Sequence, residues 1–374
     1  MLAAAESAEQ GIKSEEYAME LGTLIFTKPQ RAVPDTQRAE DRGFATAWFP
    51  DSHMIWGDAY ACMALAAANT KKIKFATGIS VASNRIPPVT VHSIATINEI
   101  APGRVALGYG TGHTGRRVMG LPPVRFAEFR EQVRLLHDLL KGGEGIYNTE
   151  GLSRKIRFLH RDLRFINLDD PIPLLVAANG PRALGLAGEF GDGIITSGAL
   201  TPERVAAVFR HANAGAEAAG RKLERRLPCF SLAHLCVLRP GEAVDAPRII
   251  KLVGPWVITC LHAIAAGYAK PRSLPADARI VYDAYAKHLE QLGIAGERYL
   301  DLHVGHCTYV PEAERRFVTA ATIRATTLVA PAEEIVARLR ELGAAGVDQL
   351  VVNPPFDGFE EYVDEVSNAI IARL

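Results

Sequence analysis

From about Glu20 onward, short apolar stretches with strand character alternate with longer helical ones, and few architectures accommodate such a chain. Glu20–Phe26, Ala45–Phe49, Lys74–Ser80, Arg104–Tyr109, Leu174–Ala178, Gly193–Ser197, Pro228–Leu238 and Val347–Asn353 read as strands. Helical stretches lie between them: Gln30–Arg42, Tyr60–Asn69, Val89–Ile100, Phe126–Leu140, Pro181–Phe190, Pro202–Ala219, Pro331–Leu342 and finally Phe359–Arg373. Gly43 and the pair Pro102-Gly103 supply stop signals. Runs such as Leu174-Leu175-Val176-Ala177-Ala178 are apolar throughout, as strands buried on both faces require.

Eight strands with helical crossovers fit a closed (β/α)8 TIM barrel, with an open doubly wound sheet as the alternative. At roughly 150 residues per domain, length alone would suggest two domains, but barrels often exceed about 250 residues as one unit. We therefore read residues 20–374 as one barrel domain preceded by an N-terminal extension, residues 1–19. The stretch from Arg239 to Thr326 is too long for one crossover. It holds helical segments at Ile249–Tyr268 and Tyr282–Leu292, and reads as a helical insertion between strands seven and eight. A hairpin or irregular segment is expected within Gly145–Phe165.

Composition removes several classes of function. Lys plus Arg and Asp plus Glu number 42 each, and no long basic run occurs, so nucleic acid and anionic lipid are not expected partners. No apolar run of the ~18–20 residues that span a bilayer is read. Met1–Met19 lacks the basic and apolar regions of a signal peptide, which points to the cytoplasm. Cys62, Cys229, Cys236, Cys260 and Cys307 are scattered without a C-x-x-C pair, so neither a disulfide framework nor a zinc site is expected.

Several motifs follow strands directly, where barrel enzymes carry their chemistry. Gly110-Thr111-Gly112-His113-Thr114-Gly115 matches G-x-G-x-x-G, but Pro122-Pro123 postpones the long helix that a Rossmann fingerprint needs. A plain turn, or a loop that lets a flat cofactor approach, are the other readings. Ala178-Asn179-Gly180-Pro181 opens a helix whose N-terminus suits an anion, and Ser197-Gly198 at the neighbouring strand end can add donors. The simple alternative is a capped helix and a turn. Asp51 and His53 end strand two and are candidates for proton transfer, with capping and solvation as the plain alternatives. His303 and His306 flank Gly305 inside the insertion; a metal pair lacks an obvious third ligand, and a polar wall for a substrate is preferred.

In order, several segments resemble the luciferase-like family of flavin-dependent monooxygenases and deazaflavin-dependent oxidoreductases. They are Gly43-Phe44, Trp48-Phe49-Pro50-Asp51-Ser52-His53, Asp58-Ala59-Tyr60, Gly78-Ile79-Ser80-Val81, Gly103-Arg104, Leu107 through Gly112, Ala177 through Pro181 and Gly191 through Gly198. Pro331-Ala332-Glu333-Glu334-Ile335 and Gly346-Val347-Asp348 follow late in the chain. The resemblance covers Glu20 to Leu374, most thinly across the insertion.

It implies reduced FMN or coenzyme F420 at the C-terminal strand ends, with its phosphate near Ala178, Asn179, Gly180, Pro181, Ser197 and Gly198. It also implies a non-prolyl cis bond near Ser80-Val81 supporting the ring, beside Gly110, Thr111 and Gly112. Asp51 and His53 would lie near the ring; with His113 they are the catalytic candidates, while His303 and His306, read from the insertion itself, are the candidates for meeting a small-molecule substrate. Two features depart from the deazaflavin members: Ser52 interrupts the Asp-His pair, and His113 stands where some carry a carboxylate after the Gly-rich loop.

The favoured activity is an FMNH2-dependent monooxygenase acting on a small organic substrate, supplied by a separate flavin reductase. The alternatives are an F420-dependent, hydride-transferring oxidoreductase and a non-catalytic flavin-binding protein. A homo-oligomer, a dimer in the simplest case, is expected.

Overall fold

The computed structural model describes residues 19–198, 200–267, 269–292 and 298–374. Eight strands form the barrel: β1 (Glu20–Leu24), β2 (Thr46–Phe49), β3 (Lys74–Thr77), β4 (Val105–Gly110), β5 (Leu174–Ala177), β6 (Gly193–Ser197), β7 (Cys229–Ala233) and β8 (Gln349–Val352). Each pairs in parallel with the next, and β8 pairs with β1, so the sheet closes. Closure excludes the open doubly wound sheet and the Rossmann reading of the Gly-rich loop.

Alternation along each strand divides the side chains between two cores. Leu24, Trp48, Ala76, Leu175 and Val351 fill the lumen, with Phe230 tilted against Trp48 at 5.5 Å. The Trp48 indole donates to Gln349 Oε1 at 2.9 Å, and Gln349 Nε2 donates to Thr46 Oγ1 at 3.1 Å, so the buried polar atoms at the lumen floor find partners. Side chains of opposite parity, such as Phe49, Phe75, Leu107 and Val176, join the helices in the larger outer core. Gly108 is required by packing: a Cβ there would lie 2.1 Å from the Thr77 carbonyl oxygen.

The structure changes the reading in four places. Strand three stops at Thr77, and the cis bond is Gly78–Ile79, before rather than at Ser80-Val81. Ser80 and Val81 stay extended because they pair with Tyr109 and Gly110 of β4, whereas Gly78 passes tightly between Trp48 and Leu24. Strand seven is not continuous to Leu238. It breaks at His234, and Leu235–Val237 leaves the barrel to pair in parallel with Leu328–Ala330. That ribbon clamps together the two ends of the insertion. The helix read as Ile249–Tyr268 runs Pro247–Ala265, and Tyr268 lies outside the described residues.

That helix has the length and mean hydropathy (1.4) of a membrane span, contrary to the reading of no such run. Its apolar face is already used: Val253, Val257 and Leu261 pack with Tyr285, Phe317 and Ile323 as the insertion's own core. The expected hairpin is Gly145–Thr149 paired antiparallel with Leu152–Ile156.

Candidate active site

In a parallel barrel every strand points the same way, so residues that follow strands gather on one rim. The loops after β2, β4, β5 and β6 bring Asp51, the Gly110–Gly112 segment, Asn179-Gly180 and Ser197-Gly198 to that rim.

Asp51 is 4% exposed and fully engaged. Its carboxylate accepts from Arg85 at 3.3 Å, from the Val81 N–H at 3.3 Å and from Ser80 Oγ at 3.5 Å. Tyr60 donates to Ser80 Oγ at 2.8 Å, and Arg85 also pairs with Asp58. Burial raises the Asp51 pKa, with Arg85 opposing it. The carboxylate thus pins the short Ser80–Val81 strand to the loop after β2. The side chains that Gly110 and Gly112 lack would collide with Ile79 and Val81, each at 2.3 Å, and Gly112 takes φ +77°. The Gly-rich segment and the Ile79–Val81 segment therefore interlock into one ledge.

His53 is exposed, with Nε2 3.3 Å from Met119 Sδ. His113 opens the short helix His113–Arg117 on an exposed face, and partial desolvation together with the Arg117 charge lowers its pKa.

On β5 and β6 the polar groups converge. Asn179 Oδ1 accepts from Thr196 Oγ1 at 2.8 Å and from the Ser197 N–H at 3.1 Å, and its amide donates to Ser197 Oγ at 3.0 Å. Gly180 precedes helix Pro181–Phe190, whose first-turn N–H groups have no intrahelical acceptor. A Cβ at Gly180 would meet nothing within 4 Å, so the space over this helix end is open. Arg204 donates to the Ser197 carbonyl at 2.8 Å, bringing a guanidinium beside Gly198. Open space, a helix N-terminus and a nearby cation suit a phosphate.

The insertion borders the other side of the rim, and between them lies an open cavity of about 440 Å³. One wall is aromatic, formed by Phe26 after β1, Trp56 after β2 and Phe356 after β8. His303, His306 and Thr308 of the insertion also line it, Thr308 beside the Trp56 indole. His306 Nε2 lies 3.2 Å from Thr114 Oγ1, which ties the insertion to the Gly-rich segment. His303 Nδ1 donates to the Tyr299 carbonyl at 2.6 Å, and the two imidazoles are 5.3 Å apart. Burial drives His306 down to about 3, with His303 and His262 adding repulsion, and burial also lowers His303. Both are neutral hydrogen-bonding groups near pH 7. Asp51, His53 and His113 do not line this cavity; their loops turn towards Arg85, Met119 and Arg117, so the imidazoles at the cavity come from the insertion.

The luciferase-like monooxygenase family model matches residues 8–349. The chain belongs to that family. Among its curated relatives, this luciferase-like chain is 27% identical to the 5,10-methylenetetrahydromethanopterin reductase of Methanopyrus kandleri, over 94% of this chain and 96% of that one. It is also 27% identical to the F420-dependent glucose-6-phosphate dehydrogenase of Nakamurella multipartita, over 82% and 92%. The solved coenzyme F420 dependent tetrahydromethanopterin reductase from Methanopyrus kandleri superposes with TM-score 0.67, at 22% identity over 95% of this chain and 99% of that one. An FMN-bound type II Baeyer-Villiger monooxygenase constituent from Pseudomonas putida superposes with TM-score 0.60, at 16% identity over 96% and 99%.

Within this luciferase-like barrel, several site features escape sequence reasoning. Arg85 and Arg204 carry no motif. His234 stacks on Trp256 of the insertion at 3.7 Å, and it is buried and held neutral by that burial. Its place directly after β7 is the one signal that could have singled it out. His262 contacts both oxygens of the buried Glu314, at 3.1 and 3.2 Å, inside the insertion.

Proposed function

We propose that the chain is a coenzyme F420-dependent oxidoreductase that transfers hydride to or from a small organic substrate. The observation that carries this reading is the end-to-end similarity to F420-dependent relatives, over more than nine-tenths of both chains in the longest case. It favours hydride transfer over the oxygenation that the motifs alone suggest. The open helix end at Gly180 and the interlocked ledge of Ile79–Val81 and Gly110–Gly112 offer a phosphate cradle and a rigid support, as either a flavin or a deazaflavin requires.

Gly180, Pro181, Ser197, Gly198 and Arg204 would hold the phosphate, and the Ile79–Val81 ledge would support the ring. When bound, the deazaflavin supplies a two-electron hydride donor or acceptor. The chain's own residues orient and shield. Phe26, Trp56 and Phe356 give the cavity an apolar face, His306 holds the insertion against Thr114, and the neutral imidazole of His303 would offer a hydrogen bond to a polar group of the substrate. A rim cavity of about 440 Å³ favours an enzyme over a non-catalytic flavin-binding protein.

The second reading is an FMNH2-dependent monooxygenase fed by a separate reductase, favoured by the FMN-bound structural neighbour. Anaerobic turnover of the reduced deazaflavin, compared with oxygen uptake on supplied FMNH2, tests the two. Oxygen consumption coupled to substrate, with no deazaflavin turnover, overturns the hydride reading. A homo-oligomer goes with this proposal and is checked by light scattering.

A further inference from the structure

The rim cavity has an uneven charge. None of its lining residues is Asp or Glu. Lys28 lines it, exposed, with its ammonium 5.8 Å from the Phe356 ring centre and no ion pair among the described residues. Lys28 is also the N-cap of the 13-residue helix Pro29–Asp41, which has no acidic residue in its first turn. Pro29 has no N–H, and the Arg31 and Ala32 N–H groups donate to the Lys28 carbonyl, so the ammonium is the main positive group at this side of the cavity. Nearby Arg31 is already neutralised by Asp35 at 2.9 Å and donates to the Phe356 carbonyl.

The rest of the cavity is rich in aromatic surface, which suits an apolar body. Phe26 meets Trp56 and Phe356 edge-on, at 5.6 and 5.2 Å with interplanar angles of 86° and 84°. The Trp56 indole is fixed by a 3.3 Å hydrogen bond to Thr308, which in turn donates to the His306 carbonyl. A volume of about 440 Å³ lies at the small end of ligand sites and accommodates one or two rings. Aromatic walls leave few donors for the hydroxyls of a sugar, and one free ammonium matches one negative charge.

We propose that this cavity receives a monocarboxylate built on a flat apolar body of one or two rings. The rings lie against Phe26, Trp56 and Phe356, and the carboxylate sits at the Lys28 ammonium. His303 and His306 line the same cavity. The proposal rests on the oxidoreductase reading only in calling this ligand a substrate. Binding itself needs no cofactor.

The test is equilibrium binding of cinnamate and its uncharged isostere cinnamamide to the full chain, by calorimetry and tryptophan fluorescence. Glucose 6-phosphate serves as an anion without a flat apolar body. Lys28 is exposed, so Lys28→Met and Lys28→Arg fold as the parent does, which circular dichroism verifies. Cinnamate is expected to bind at least about tenfold more tightly than the amide, as a charge-assisted contact provides. Lys28→Met should remove that preference and Lys28→Arg should restore it. Equal binding of acid and amide overturns the proposal, as does a preference that survives in Lys28→Met. Tighter binding of glucose 6-phosphate, or no binding of cinnamate at millimolar concentration, also overturns it. A separate deazaflavin titration reports on the cofactor assignment, so failure of the one is distinguishable from failure of the other.

Discussion

Gly180→Val separates cofactor binding from folding because the structure makes its cost to folding small. Gly180 has φ −108° and ψ 159°, an extended conformation that valine adopts readily. A Cβ there touches nothing within 4 Å. Gly180 supplies no side-chain cap, so no hydrogen bond is lost. Valine is a poorer N-cap than glycine, while replacing glycine narrows the unfolded ensemble by about 0.4–1 kcal/mol. These effects oppose each other, and the denaturation midpoint should move by less than about 1 kcal/mol of stability.

The two added methyl groups occupy the space above the first helical turn. Charge-assisted hydrogen bonds are worth roughly 1.5–3 kcal/mol each. Displacing one such contact from the phosphate should weaken the deazaflavin about 10- to 100-fold. Fluorescence titration of the cofactor, paired with urea denaturation of the same preparation, measures both quantities. An unchanged dissociation constant in a folded variant refutes the reasoning and moves the phosphate to another strand end.

His306 is held neutral down to about pH 3, against about 6.5 when unfolded, so below pH 6.5 the unfolded state takes up a proton that the native state refuses. Native stability should therefore fall on acidification through that window, by up to about 5 kcal/mol from this group. His306→Asn should lie closest to the wild type in stability at acid pH, and a stability difference independent of pH between 7 and 4 in urea titrations (roughly the accessible part of the window) counts against it. Asp51→Asn should lower stability by about 1–3 kcal/mol through the weakened Arg85 and Val81 contacts. Its residual turnover should keep the wild-type shape of the pH–rate profile; loss of an ionisation from that profile would return Asp51 to proton transfer.

The barrel was legible in the sequence because its signals are local. Strand and helix periods appear within ten residues of text, and chain order alone places Asp51, Gly112, Gly180 and Ser197 after strands and hence on one rim. The helix end at Gly180-Pro181 was equally readable, because proline at the first helical position is a neighbour effect.

Roles that depend on distant partners were not legible. Asp51 reads as a candidate acid until Arg85, 34 residues later, is seen to hold it. His303 and His306 acquire their depressed protonation from burial and from charges brought near by the fold, His262 and Arg117 for His303, His303 and His262 for His306, which no spacing encodes. The break of strand seven at His234 depends on Trp256 and on Leu328, which pairs across the neck of the insertion. Local pattern determined which elements form and which ends they present. Only the closed barrel and its insertion decided what each polar side chain faces, because burial and charge at a site are sums over neighbours that the chain supplies from far apart.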